Sequence, residues 1–282
     1  MEPSEDQQNP VIAGLSLDRP RLMGIVNVTP DSFSDGGQFA DARAAADHGL
    51  RLVEEGADIL DIGGESTRPG ADPVSEQEEM DRVLPVIERL ARETETPISL
   101  DTRKPRVMEE GSRAGAAIWN DVSALTHAPD SLETAARLAC KVVLMHAQGD
   151  PKTMQDNPVY NDVVAEVRDF LAARFDACVS AGISAARLIA DPGIGFGKTV
   201  DHNLTLLRNL RAFESLQVPL LVGASRKRFI GTLSGGAPAH RRLGGSVAVA
   251  LWAAAQGAHV LRVHDVAETR QALNLWQVIT RG

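Results

Sequence analysis

Short apolar runs recur along the chain, and most of them stop at a polar residue. In ADILDIGGESTRPGA (57–71), isoleucine and leucine lead to Asp61, and a glycine pair then opens a polar loop. Apolar runs of this length predict buried strands. Six predicted strands end at Asn27, Asp61, Asp101, Asn120, His146 and Asp191, and PLLVGASRK (219–227) and HVLRVHD (259–265) bring the number to eight.

Segments with an apolar residue every three or four positions lie between these strands and predict helices. Ser75 and Glu78, at the start of one such segment, are typical of a capping box. The helices are predicted over 41–55, 75–93, 157–181, 201–213, 245–256 and 266–279, with shorter ones from 105 and from 130. Residues 1–20 are predicted to be a flexible leader, and 21–282 a single domain.

The regular alternation of strands and helices predicts an α/β fold with a parallel sheet covered by helices. A doubly wound open sheet of eight strands also fits this alternation. Polar residues at the strand ends favour a closed (β/α)8 barrel, the TIM barrel, because there all eight ends converge on one mouth. In an open sheet only a few ends meet at the switch point.

Composition and charge narrow the classes of function. The 282-residue chain is 43% apolar with a net charge of −9, which argues against nucleic acid or an anionic membrane as the main partner. Cys140 and Cys178 lack metal-ligand spacing and predict buried free thiols in a reducing compartment. The acidic N-terminus is unlike a signal peptide, and the longest apolar run is half a membrane span, so we expect a cytoplasmic protein.

Acceptors and cations are predicted to share the barrel mouth. Asp101, Asn120 and Asp191 suit a planar heterocycle with several N–H groups, such as an aminopyrimidinone. Arg262 and His264 lie two positions apart on one strand and therefore point the same way. The pattern predicts a site for a heterocycle that has a phosphate or diphosphate group.

The segment SRKR (225–228) follows the seventh predicted strand, where barrels often hold phosphate. Taken alone it would be a solvated charge cluster. GIGFGKT (193–199) resembles a phosphate loop, but Pro192 stands where GxxxxGK[ST] needs glycine, so we interpret it as a turn with Phe196 facing a ligand. His146 is predicted to be structural, and Met145 to fill the core unless it lines the ring.

Eight segments together resemble the dihydropteroate synthases, the sulfonamide-sensitive family of folate synthesis. The segments are NVTPDSFSDGG (27–37), DIGGESTRPGA (61–71), DTRKP (101–105), ND (120–121), LMHAQGDPKTMQ (144–155), DPGIGFGK (191–198), SRKRFIG (225–231) and RVHDV (262–266). The resemblance implies condensation of 6-hydroxymethyl-7,8-dihydropterin diphosphate with p-aminobenzoate, with release of diphosphate. It also implies a Mg²⁺ cofactor and a homodimer.

The resemblance further implies roles for individual residues. Asn27 would be a ligand of Mg²⁺, and Arg68, Arg262 and His264 would hold the diphosphate. The p-aminobenzoate site would comprise Thr67, Pro69, Phe196 and Arg228. The pterin and diphosphate pocket would comprise Thr67, Asp101, Asn120, Met145, Asp191, Gly223, Lys227, Arg262 and His264, of which Lys227, Arg262, His264 and Arg68 are the candidate catalytic residues.

Two positions depart from the family pattern. Arg103 stands where a small residue is frequent, and Arg241 stands where an acidic residue is frequent. A second hypothesis is a pterin-binding barrel without synthase activity, such as that of folate-dependent methyltransferases. Such barrels share the pterin acceptors but lack the diphosphate loops, and this chain has both loops and Lys227.

Overall fold

Eight parallel strands form the centre of the structure. The computed structural model describes residues 11–28, 38–66, 73–149, 154 and 157–281. A short hairpin of β1 (Val11–Ile12) and β2 (Leu15–Ser16) comes first. The sheet strands are β3 (Arg21–Asn27), β4 (Ile59–Gly63), β5 (Ile98–Asp101), β6 (Ala116–Asp121), β7 (Lys141–Met145), β8 (Leu188–Asp191), β9 (Leu221–Val222) and β10 (Val260–Val263).

The sheet closes on itself. Its strands run in the order β8-β7-β6-β5-β4-β3-β10-β9, and every neighbouring pair is parallel. A parallel bridge between Ala190 and Leu220 joins the two edge strands, and the Ala190 amide donates to the Pro219 carbonyl at 2.9 Å. The predicted (β/α)8 barrel is therefore confirmed, and the open sheet is excluded.

Helices surround the barrel on its outer side. They are α1 (Gln38–Glu54), α2 (Glu76–Glu93), α3 (Pro105–Ala114), α4 (Ser131–Arg137), α5 (Val163–Ser180), α6 (Val200–Arg208), α7 (Arg228–Leu233), α8 (Leu243–Ala255) and α9 (Val266–Arg281). Two predicted boundaries differ. The α5 helix begins after Asp162, whose carboxylate accepts from two backbone amides, and the predicted 201–213 helix becomes a 3-10 helix over Leu210–Leu216.

The hairpin corrects the prediction of a flexible leader for residues 11–20. Ile12 is 1% exposed and packs in the interior of the barrel against Met23, Ile59, Ile118, Val143, Ile189, Leu221 and Val260. These residues lie at the amino ends of the strands, so the hairpin covers the end of the barrel opposite the mouth. Two-residue strands are too short to show an alternating pattern, which explains the error.

The remaining hydrophobic core lies between the strands and the helices. Both cysteines are buried free thiols, as predicted. No helix in the described ranges is long and apolar enough to span a bilayer. The predicted site residues Thr67, Arg68 and Pro69 lie outside the described residues.

Candidate active site

Arg262 lies at the centre of the barrel mouth between two carboxylates. Its Nε donates to Oδ2 of Asp61 at 2.6 Å, and a terminal nitrogen donates to Oδ2 of Asp101 at 2.8 Å. Alternation along β10 directs Arg262 into the barrel, two positions above the interior residue Val260. The guanidinium is thus fixed at the level where the strands end.

Asn120 extends the same network. Its Nδ2 donates to both carboxylate oxygens of Asp61, at 3.3 and 3.1 Å. Asp61 is fully buried, and its carboxylate accepts from both Arg262 and Asn120. This arrangement leaves the amide oxygen of Asn120 as an acceptor for a ligand.

Burial and neighbouring charges shift the pKa values of this network. Burial raises the pKa of Asp101 to about 7, and the nearby Asp61 carboxylate adds to the shift while Arg262 opposes it. Burial alone would lower the pKa of Arg262, but Asp61 and Asp101 outweigh it and raise that pKa. Arg262 therefore keeps its charge at every physiological pH, and Asp101 titrates near neutrality.

Asp191 and Lys227 lie in the mouth close enough to interact electrostatically. Oδ1 of Asp191 accepts from the Gly193 amide at 2.7 Å, and burial raises the pKa of this carboxyl group. Lys227 donates to the Ile194 carbonyl, and its Nζ lies 4.0 Å from the centre of the Phe196 ring. Desolvation lowers the pKa of Lys227 to about 7, although Asp191 opposes this shift.

His264 and its neighbours line the part of the mouth between β9 and β10. Oγ of Ser225 lies 3.0 Å from Nδ1 of His264 and accepts from the His264 backbone amide at 3.2 Å. Arg226 pairs with Asp265 and has a φ of +57°. Arg228 is exposed and is the first residue of α7.

Met145, Gly223 and Asn27 complete the described part of the predicted set. Met145 is buried and pairs in register with Asp191. A β-carbon at Gly223 would lie 3.6 Å from Cβ of Arg262, so glycine leaves room for the arginine. A β-carbon at Gly63 would lie 3.9 Å from Oδ1 of Asn27 and 3.8 Å from Oδ2 of Asp101.

A second group of charges lies beside the strand ends of β4 and β5. Lys104 donates to Glu79 at 2.5 Å and to Glu65 at 3.3 Å, and its third acceptor is the Val74 carbonyl at 2.8 Å. Arg103, one of the two departures from the family pattern, also pairs with Glu65 at 3.1 Å. Glu65 precedes and Val74 follows the range 67–72, and Lys104 contacts both of them.

Two residues of the site were missed at the sequence level. Asp61 ends a predicted strand and has no predicted role, although a lone carboxylate between Leu60 and Ile62 indicates an interior partner. Lys198 received no role because the phosphate-loop pattern failed. In the structure it is 3% exposed and contacts His146, a residue that packs outside the barrel against Phe170 and Tyr160.

Comparison with known proteins places this geometry in a family. The model for pterin-binding enzymes matches residues 23–264. Dihydropteroate synthase of Escherichia coli K12 is 50% identical over 261 residues, which is 93% of this chain and 92% of that protein.

Solved structures give the same result. The Xanthomonas albilineans dihydropteroate synthase with 4-aminobenzoic acid has a TM-score of 0.92 and 54% identity, covering 98% of this chain and 100% of that one. The same enzyme in complex with 7,8-dihydropteroate has a TM-score of 0.87 and 52% identity, covering 95% and 96%. A Yersinia pestis dihydropteroate synthase with a sulfonamide drug has a TM-score of 0.90 and 47% identity, covering 95% and 97%.

Proposed function

The chain belongs to the dihydropteroate synthase family of pterin-binding enzymes, and we propose that it condenses 6-hydroxymethyl-7,8-dihydropterin diphosphate with p-aminobenzoate to give 7,8-dihydropteroate and diphosphate. The observation that supports this most directly is the position of Arg262 between Asp61 and Asp101. It fixes a permanent cation beside acceptors for the N–H groups of a pterin. Such a site accommodates a heterocycle and an anionic leaving group together.

The pterin occupies the interior of the mouth in this proposal. Asp101, Asn120 and Asp191 accept from the ring N–H groups, and Lys227 donates to a ring acceptor. The guanidinium of Arg262 stacks on the ring, and Met145 and Gly223 line the pocket. Because Asp61 and Asp101 already hold Arg262, its side chain is ordered before the substrate binds.

Departure of diphosphate is the demanding step. Diphosphate leaves with the electron pair of its C–O bond, and the pterin ring delocalises the positive charge left on the methylene carbon. The lone pair of the uncharged aryl amine then forms the C–N bond to that carbon. The amine then gives a proton to water, so no dedicated base is needed. Arg68, Arg262 and His264 stabilise the charge that grows on the leaving oxygen. Ser225 holds the ring of His264 in place for this contact.

The residues at the end of β3 fit a Mg²⁺ ion. Oδ1 of Asn27 and Oδ2 of Asp101 both lie near Gly63, and Mg²⁺ is commonly bound by one or two protein oxygens with substrate phosphates and water. The described residues contain no cluster of three or more His, Cys, Asp or Glu side chains that could hold a metal. Bound Mg²⁺ would supply positive charge for the diphosphate, with Asn27 as its protein ligand.

The p-aminobenzoate site adjoins the pterin pocket. Phe196 supplies an apolar face there, and Thr67 and Pro69 would belong to the same site. The substrate carboxylate lies near Arg228 at the start of α7. Sulfonamides, which the Yersinia pestis relative binds, compete for the same site.

Calorimetry tests the proposal. We expect p-aminobenzoate, or a sulfonamide, to bind only when Mg²⁺ and diphosphate are present, because the second site forms over the first. Turnover is then measured as formation of dihydropteroate from both substrates. Pterin binding without p-aminobenzoate binding under any condition would leave a pterin-binding barrel without synthase activity.

We also propose that the chain is a cytoplasmic homodimer. The last helix has an exposed apolar face of Leu275, Val278 and Ile279, whose exposures are 63%, 73% and 71%. A contiguous apolar face of this kind is typical of a contact between subunits. Sedimentation at micromolar concentration should give twice the chain mass, and changing all three residues to serine should give a monomer.

A further inference from the structure

Side-chain donors hold the backbone of the β8–α6 loop, residues 192–198, at three carbonyl groups. Lys227 donates to the carbonyl of Ile194, Lys198 to that of Phe196 at 3.0 Å, and Tyr160 to that of Gly197 at 2.9 Å. A loop fixed at three of its carbonyls has little freedom to shift.

Close packing also restricts this loop. A β-carbon at Gly193 would lie 1.8 Å from the His146 carbonyl oxygen, and one at Gly197 would lie 2.3 Å from the Gln148 carbonyl oxygen. Both glycines have positive φ, +67° and +60°. The loop therefore lies directly against the end of β7.

Lys198 joins the loop to β7. Its Nζ lies 3.0 Å from Nδ1 of His146 and donates to the His146 carbonyl at 3.3 Å as well as to Phe196. These three acceptors match the three protons of an ammonium group. Among the described residues it forms no ion pair, and burial lowers the pKa of Lys198 to about 7 and that of His146 to about 3. The neutral His146 ring can therefore accept at Nδ1.

The Phe196 carbonyl that Lys198 holds belongs to the residue whose ring lies over Lys227. Movement of this carbonyl would turn the peptide group and displace the ring. Lys198 itself is 3% exposed, and its acceptors are groups of the protein. It acts on the mouth through Phe196.

We propose that Lys198 is a positioning residue that sets the Phe196 face of the p-aminobenzoate site without touching the substrate. The inference rests on the proposed function, since it assigns Phe196 to that substrate. It distinguishes Lys198 from Lys227, which reaches the pterin pocket. The two lysines therefore have different roles: Lys198 positions Phe196, and Lys227 contacts the pterin.

Steady-state kinetics with saturating dihydropterin diphosphate and Mg²⁺ test this role. Lys198→Met keeps most of the length of the side chain and removes its donors. We expect the KM for p-aminobenzoate to rise about tenfold, the size of effect expected when one charge-assisted hydrogen bond is lost. The dissociation constant of dihydropterin diphosphate, measured by calorimetry, should change less than about twofold.

Tyr160→Phe is the matched control, because it removes the donor to the next carbonyl of the same loop. Its KM for p-aminobenzoate should change less than about twofold. In a Phe196→Ala background, Lys198→Met should add less than about twofold, since the group that Lys198 positions is already absent. Thermal unfolding checks that each variant folds, and Lys198→Gln replaces Lys198→Met if the latter does not.

Besides an unchanged Lys198→Met variant, three results would overturn the inference. They are an equal rise in KM for Tyr160→Phe, a full tenfold effect of Lys198→Met without Phe196, or a parallel loss of pterin affinity. A wild-type protein that forms no dihydropteroate would refute the proposed function itself. An active wild type with an unchanged Lys198→Met variant would overturn only the role of Lys198.

Discussion

The position of each polar side chain in this site depends on its hydrogen-bond partners. Asp61 is fully buried and accepts from Arg262 and Asn120 at the same time. The carboxylate compensates for the cost of burying a guanidinium, and it fixes the direction of that guanidinium. A residue without a direct part in the proposed chemistry thus determines where the central cation lies.

Replacement of Asp61 by asparagine should therefore be costly. Among the described residues, Asp61→Asn leaves Arg262 paired with the Asp101 carboxylate alone, and we expect the free energy of unfolding to fall by about 3 kcal/mol. Pterin affinity should fall as well, because Arg262 loses its fixed position. Urea unfolding and calorimetry measure the two effects.

Asp169→Asn provides the control for that substitution. Asp169 pairs with Arg168 on the surface, with 67% of its side chain exposed, and its loss should cost less than about 0.5 kcal/mol. Equal destabilisation by the two substitutions would show that the buried network contributes nothing beyond a surface ion pair.

Whole elements differ in how far sequence predicts them. Strands β3 to β10 all have enough apolar residues to be predicted, and their order along the chain fixes the parallel barrel. The β1–β2 hairpin could not be predicted, because burial of Ile12 depends on residues from seven different strands. The same limit applies to the site residues, because contacts between distant segments cannot be predicted from a local pattern. Strand-end residues such as Asp101 and Asp191 were predicted, whereas the contacts of Lys198 with His146 and with the Phe196 carbonyl form only in the folded loop.

The hairpin should contribute measurably to stability. Ile12→Ala leaves a cavity among the interior residues at the amino ends of the strands, and we expect a loss of about 2–4 kcal/mol in the free energy of unfolding. Val11→Ala, one residue away and 44% exposed in the native protein, should cost less than about 1 kcal/mol. If both variants unfold at the same urea concentration, the hairpin does not stabilise the barrel.

At the scale of the whole molecule, Asp58 joins the two ends of the described chain. Its carboxylate accepts from Arg19 at 2.5 Å, from the Leu22 amide at 2.8 Å and from Arg270 of α9 at 2.5 Å. Burial opposes ionisation of Asp58, but the Arg19 and Leu22 hydrogen bonds and the charge of Arg270 outweigh it and lower the pKa. This cluster holds the segment before β3 and the last helix against the start of β4.

The stabilisation from Asp58 should depend on pH. A lowered folded-state pKa contributes stability that is complete above the unfolded value of about 3.9 and is lost as pH falls through the folded value. Asp58→Asn should therefore destabilise the protein by about 2–3 kcal/mol at pH 7, and its difference from wild type should shrink below about pH 4. Urea unfolding from pH 3 to pH 8 measures this difference.

Asp81→Asn is the control for the pH series. Asp81 is exposed on α2 and accepts only from Gln77 among the described residues. Its substitution should leave the pH dependence of stability unchanged. A difference between Asp58→Asn and wild type that stays constant down to pH 3 would contradict the assigned shift.

The hairpin also determines the route by which ligands reach and leave the site. Ile12 and its neighbours fill the end of the barrel opposite the mouth. A ligand of Arg262 therefore binds and dissociates through the mouth. Diphosphate and dihydropteroate must therefore be released through the mouth before the next pair of substrates can bind. Because substrates and products share this route, each product competes with the substrate from which it was formed.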